Sequence, residues 1–167
     1  MRASTMSDAS VSHDLPRRHP NDTVQVVAVC DEWFVLVKQM ERMGGPCWEL
    51  PGGSYQLQQG LEPKAAAVKT LQYQTGIQVP VSQAQLIYVG YPWNGLDPKK
   101  NECASARVYV VFVRLWPEDV CLPTPTGSLS YELFRIDEVR APGFVLDWFA
   151  LAALHVYRTQ HGGIKAF

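Results

Sequence analysis

Lys69, Thr70, Tyr73 and Gln74 are polar side chains at helical spacing behind Glu62, and Glu49 lies just before the glycine pair that leads to them. Gly52 and Gly53 precede this run and Gly76 closes it. The two ends of this run look like the frame of a phosphate-handling site. Cleavage of a pyrophosphate needs magnesium to neutralise phosphate charge and activate water. Magnesium takes hard oxygen ligands, carboxylates above all, and acids at i, i+3 and i+4 collect on one helix face. In this chain the centre of the frame, residues 69–75, reads Lys-Thr-Leu-Gln-Tyr-Gln-Thr and holds no carboxylate.

The elements that must carry these residues are legible from pattern. Residues 24–30 and 33–39 are β-branched, apolar runs about an Asp31-Glu32 turn, which predicts a hairpin. Residues 40–46 read as a loop, and residues 47–50 as a short extended piece stopped by Pro51-Gly52-Gly53. A helix begins at Pro63, whose missing N–H costs nothing at a first helical position, with Glu62 beside the positive helix end. Ala65, Ala66 and Ala67 favour it, Val68 and Leu71 give it an apolar stripe, and Gly76 suits the left-handed closing position. Strands follow at 86–90, 106–115 and 131–136, separated by a polar loop at 91–103 and a turn-rich run at 117–130. Asp137-Glu138-Val139 leads to a last helix from about residue 143 to 160, ended by His161-Gly162-Gly163. Strands, helix, strands, helix predict an α/β fold with a mixed sheet packed between helices.

Bulk composition bounds the rest. The chain has 167 residues, 47% hydrophobic and 19% charged, enough for one globular domain, read as residues 22–167 behind a mobile tail at 1–21. A net charge of −1 offers no bulk attraction to nucleic acid or an anionic membrane. Cys30, Cys47, Cys103 and Cys121 form no C-x-x-C pair, so reduced thiols are expected. No apolar run is long enough to span a bilayer and no secretory signal is recognisable, so the cytoplasm is the expected location.

The residues from Leu50 to Ile77 resemble the Nudix family, whose pattern G-x5-E-x7-R-E-U-x-E-E-x-G-U (U a bulky aliphatic residue) lies on a loop–helix–loop of an α/β/α sandwich. Anchored on Gly76-Ile77, the family's R-E-U-x-E-E-x-G-U falls on residues 69–77. Leu71, Gly76 and Ile77 keep the structural positions, and Lys69 keeps the charge of the family arginine without its planar fork. Thr70, Tyr73 and Gln74 replace the three metal-binding glutamates. Gly53 matches the first glycine, and Gly60-Leu61-Glu62-Pro63 resembles the family's Gly-Glu-x-Pro in a loop enlarged by about two residues. The resemblance extends from about residue 24 to 160. Glu49-Leu50-Pro51-Gly52-Gly53 looks most like the ADP-ribose pyrophosphatase branch, and Tyr91-Pro92-Trp93-Asn94-Gly95 is similar to its Tyr-Pro-Ser-Pro-Gly segment. The glutamate that branch carries before its next strand is absent from Ala104-Ser105-Ala106-Arg107.

The resemblance implies a pocket for a small nucleotide or nucleotide-sugar ligand, without ordinary magnesium-dependent hydrolysis and with no cofactor. Its lining would be Glu49, Gly52, Gly53, Lys69, Thr70, Tyr73, Gln74, Trp93 and Arg107. Each has a plainer reading. Glu62 is an ordinary acid at a helix start, Glu132 an exposed strand residue, Arg107 a surface charge, and Tyr73 and Gln74 residues drifting in an abandoned site. Among the tryptophans only Trp93, in a loop beside Pro92, is read as a base-stacking candidate. The alternative is a surviving hydrolase that holds magnesium or manganese with a rearranged set, Glu49, Glu62 and Glu132, with Glu62 and Glu132 in the catalytic role. A non-hydrolytic enzyme reusing the pocket and a pure interaction module are further alternatives. The apolar run 144–154 is a core face or the face of a homodimer.

Overall fold

The computed structural model describes residues 22–42, 45–54, 60–90, 107–120, 127–139 and 148–160. The expected tail at 1–21, Trp93 with the rest of 91–106, Cys103, Cys121 and the first residues of the last predicted helix lie outside them. In chain order the elements are β1 (Thr23–Cys30), β2 (Trp33–Arg42), β3 (Gly45–Glu49), β4 (Gly52–Ser54), α1 (Pro63–Thr75), β5 (Ala84–Gly90), β6 (Val108–Leu115), α2 (Pro117–Val120), β7 (Tyr131–Arg135), α3 (Ile136–Val139) and α4 (Trp148–Gln160).

The strands of the described residues form one mixed seven-stranded sheet in the order β3-β2-β1-β6-β5, with β4 paired to β1 and β7 paired to β2. The Asp31-Glu32 turn does close a hairpin, joining Cys30 to Trp33, with Asp31 at a φ of 54°. β1 runs parallel to β6 along its whole length, from Thr23 opposite Val108 to Cys30 opposite Leu115. Its residues 26–30 are buried on both faces and read as a continuous apolar run.

The sheet separates two apolar layers. On one face Ala66, Ala67, Val68 and Leu71 of α1, with Ile77 and Val79, meet Val24, Val26, Ala28, Val35, Val111 and Val113. On the other, Ala150, Ala153, Leu154, Val156 and Tyr157 of α4 meet Val27, Val29, Phe34, Leu36, Val108 and Val110. This is the expected α/β/α sandwich, and Ala150, Ala153 and Leu154 of the last apolar run are core. Alternation sorts the side chains: residues one apart on a strand point to opposite faces, and paired residues on neighbouring strands to the same face.

Two local differences from the sequence reading have tertiary causes. The stop at Pro51-Gly52-Gly53 is followed at once by a strand, because β1 has a free edge that Gly52, Gly53 and Ser54 fill opposite Gln25, Val24 and Thr23. The expected loop at 40–46 is largely ladder: β2 continues to Arg42, which pairs with Gly45 across a register shift. Neither pairing leaves a local pattern, since each depends on a partner strand.

Candidate functional site

α1 begins as its sequence requires, with Pro63 in the first turn and Glu62 at the cap position, extended (φ −67°, ψ 156°) and making no side-chain capping bond. Gly76 ends it in the left-handed conformation, φ 81°, and donates its N–H to Gln72 O at 2.8 Å. A helix leaves its last carbonyls without intrahelical partners. Here residues just before β7 supply them: Ser128 N–H donates to Tyr73 O and Leu129 N–H to Gln74 O, both at 2.9 Å. Ser130 O in turn accepts from Lys38 N–H of β2 at 3.0 Å, so the chain leading into β7 is held between the helix end and the sheet.

Thr75, fully buried, completes the turn. Its hydroxyl donates to Leu71 O at 2.6 Å and accepts from Ile77 N–H at 3.1 Å.

The centre of the site is the contact between Gln74 and Gly52. Gly52 N–H donates to Gln74 Oε1 at 2.9 Å, and Gln74 Nε2 donates to Gly52 O at 2.7 Å. One side-chain amide thus pairs with both polar groups of one backbone residue, in a half-buried setting. Gly52 must be glycine here: a Cβ would stand 2.5 Å from Val24 O of the adjacent strand. The turn before it is held as well, with Val26 N–H donating to Pro51 O at 2.8 Å.

The other predicted positions distribute unevenly. Tyr73 is 67% exposed, and Lys69, one turn earlier, is also exposed. Thr70, one turn before Gln74, is buried. Glu62 is exposed. Glu49 ends β3 opposite Val37, which also pairs with Tyr131. The Val35–Val37 side of the strand carries Tyr131 and Leu133 toward the α1 layer, so Glu49 points to the α1 face. Glu132 pairs with Leu36 and alternates with Phe134, both on the α4 side, so it points to the opposite face of the sheet. Arg107 precedes β6 at the sheet end that also holds Ser54 and Gly90. Its N–H donates to Asp22 Oδ1 at 2.7 Å and its carbonyl accepts from Thr23 N–H at 2.9 Å.

The structure therefore brings Gly52 and Gln74 together at the end of α1, with Gly53 next to Gly52, Thr70 and Tyr73 on the same helix, and Glu49 on the same side of the sheet. It does not gather Glu49 with Glu132, which the sheet separates. Among the described residues no group of three His, Cys, Asp or Glu side chains could hold a metal ion. The magnesium or manganese that the family pattern holds with its glutamates does not suit the groups at those positions here. Thr70 and Tyr73 offer hydroxyls where carboxylates would be needed, and the Gln74 carboxamide is engaged on both its oxygen and its nitrogen by Gly52.

Three contributors were not singled out from sequence: Asp22, Thr75 and the 127–130 segment. Asp22 is almost completely buried. The available signals were an acid directly before the first strand and a threonine directly before the closing glycine.

No protein-family model matches the chain, and no curated protein does. Solved structures do. The crystal structure of an ADP compounds hydrolase superposes with a TM-score of 0.61 at 15% identity, over 89% of this chain and 77% of that one. The NUDIX domain of Shewanella oneidensis NrtR, complexed with ADP ribose, does so with a TM-score of 0.59 at 16% identity, over 93% and 99%. A NUDIX hydrolase from Nitrosomonas europaea matches at 0.55 and 18% identity, over 85% and 90%. This chain has the Nudix fold. Among its described residues no helix is long and apolar enough to cross a membrane.

Proposed function

We propose that this protein uses its Nudix fold to bind a nucleotide-type ligand, ADP ribose or a close relative, and does not carry out ordinary magnesium-dependent hydrolysis. The observation that carries this reading is the polar face of α1. Where the family pattern places metal-binding glutamates, the chain has buried Thr70, exposed Tyr73 and a Gln74 already bonded to Gly52. With no carboxylate there, the charge clamp and the activated water of a metal-assisted attack have no ligands on the helix. Exposed Tyr73 and Lys69 offer an aromatic face and a cation instead, which suit a base or ribose and a phosphate. Structural likeness to a NUDIX domain complexed with ADP ribose supports the class of ligand.

The test is a panel of ADP ribose, AMP and nucleotide sugars, with and without magnesium or manganese, read by thermal shift and by product release. Binding to the folded state alone stabilises by about 2.7 kcal/mol at a hundredfold excess over Kd. The expected result is a rise in Tm with ADP ribose and no release of AMP. Sustained magnesium-dependent cleavage of ADP ribose by the pure protein would overturn the proposal.

A further inference from the structure

We infer that the Gln74 carboxamide is a positioning group that takes over the work of a cation, joining α1 to the β3–β4 turn so that this part of the site is organised without metal. What matters is which atom faces which. Gly52 presents an N–H and a carbonyl to residue 74, and the carboxamide answers each with its complement, at 2.9 and 2.7 Å. A carboxylate of the same length could accept from Gly52 N–H, but its second oxygen would face Gly52 O, acceptor against acceptor. That contact needs either a proton or a cation between the two oxygens. The amide nitrogen stands at that place and brings its own hydrogen.

The surroundings fix both ends of this contact. Gly52 is pressed against β1 with no room for a Cβ, and its ladder partner is Gln25. The helix end that carries Gln74 is held by Ser128 and Leu129 on its carbonyls and by the buried Thr75 hydroxyl. Gln74 therefore transmits the position of a rigid helix end to a short turn. Glu49, on the same face, lies directly before that turn and is positioned with it. The inference goes beyond the proposed function and does not depend on the identity of the ligand, since the pair lies wholly within the chain.

Hydrogen exchange on the wild-type protein, without nucleotide, tests it first. The Gly52 amide is expected to be protected in a chelator and to gain nothing from magnesium or manganese; protection that appears only with metal would overturn the inference. Gln74→Ala is expected to lower Tm by about 3–10 °C and to speed Gly52 exchange at least tenfold, and unchanged exchange would also overturn it.

Gln74→Glu supplies a readout that simple loss of contact would not move. The carboxylate it introduces faces Gly52 O unfavourably when ionised, so its folded-state pKa rises. Its stabilising share is then present at low pH, where the protonated acid donates as the amide does, and is lost as pH rises through the folded pKa. The gap in Tm between Gln74→Glu and wild type should therefore be small near pH 4 and wide near pH 7.5, whereas the Gln74→Ala gap stays constant. A Gln74→Glu gap that does not change with pH counts against the inference. Failure of every nucleotide in the binding panel would refute the proposed function and leave these results untouched.

Discussion

Thr75→Val tests whether the end of the site helix is held by its own buried hydroxyl. Thr75 and Ile77 are both completely buried, so no water can replace what the hydroxyl supplies. Valine keeps the shape and removes two hydrogen bonds, to Leu71 O at 2.6 Å and from Ile77 N–H at 3.1 Å. Leu71 O retains the helical bond from the backbone of residue 75, so the cost falls on the Ile77 N–H, a buried donor left without an acceptor. Such a group costs about 1–3 kcal/mol. Exchanging the hydroxyl for a buried methyl returns at most about 0.8 kcal/mol. The net loss lies between about 0.2 and 3 kcal/mol, a fall in Tm of up to about 12 °C for a chain of this size. Urea unfolding followed by far-ultraviolet circular dichroism should show a lower midpoint with an unchanged m-value. Exchange of the Ile77 amide should accelerate with it. A variant as stable as wild type, with the Ile77 amide still slow, would refute the reasoning.

Gly52→Ala should destabilise by about 1–3 kcal/mol, the usual cost of overpacking, because its Cβ would meet the backbone oxygen of Val24 in the adjacent strand at 2.5 Å; thermal unfolding measures it. Tyr73→Ala, at a side chain 67% exposed, should leave stability within about 0.5 kcal/mol of wild type. The same change should weaken ADP ribose binding by about 2- to 10-fold if the ring stacks on the ligand, read by calorimetry. Burial raises the Tyr157 phenol above its ordinary 10.0, so the unfolded chain loses this proton first as pH rises. The share of stability held by Tyr157 is therefore intact below pH 10 and declines above it. Tyr157→Phe should flatten the alkaline limb of a plot of urea midpoint against pH. Leu71→Ala, in the fully buried seam between α1 and the sheet, should cost about 2–5 kcal/mol in the same unfolding assay.

What the sequence determined by itself is the frame. Pro63 and Gly76 bound α1 because each has a backbone preference that acts within a few residues. The apolar runs at β1, β2 and β6 announce strands because alternation and β-branching are local properties. The absence of acids at positions 70, 73 and 74 is legible on sight, and it weighs against metal chemistry on the helix.

Tertiary structure alone decided what those positions do instead. Nothing in the run from Lys69 to Thr75 tells that Gln74 is spent on Gly52, that Thr70 is buried, or that Tyr73 stands in solvent. The Gln74 contact depends on where β4 lies, and β4 is set by its pairing to β1. Glu49 and Glu132 divide by register: in the sheet they stand on opposite faces, because pairing to Val37 or to Leu36 differs by one residue and a pleat reverses direction at every residue. Spacing along a chain sets which residues share a helix face, but only strand register sets which of them meet across the fold.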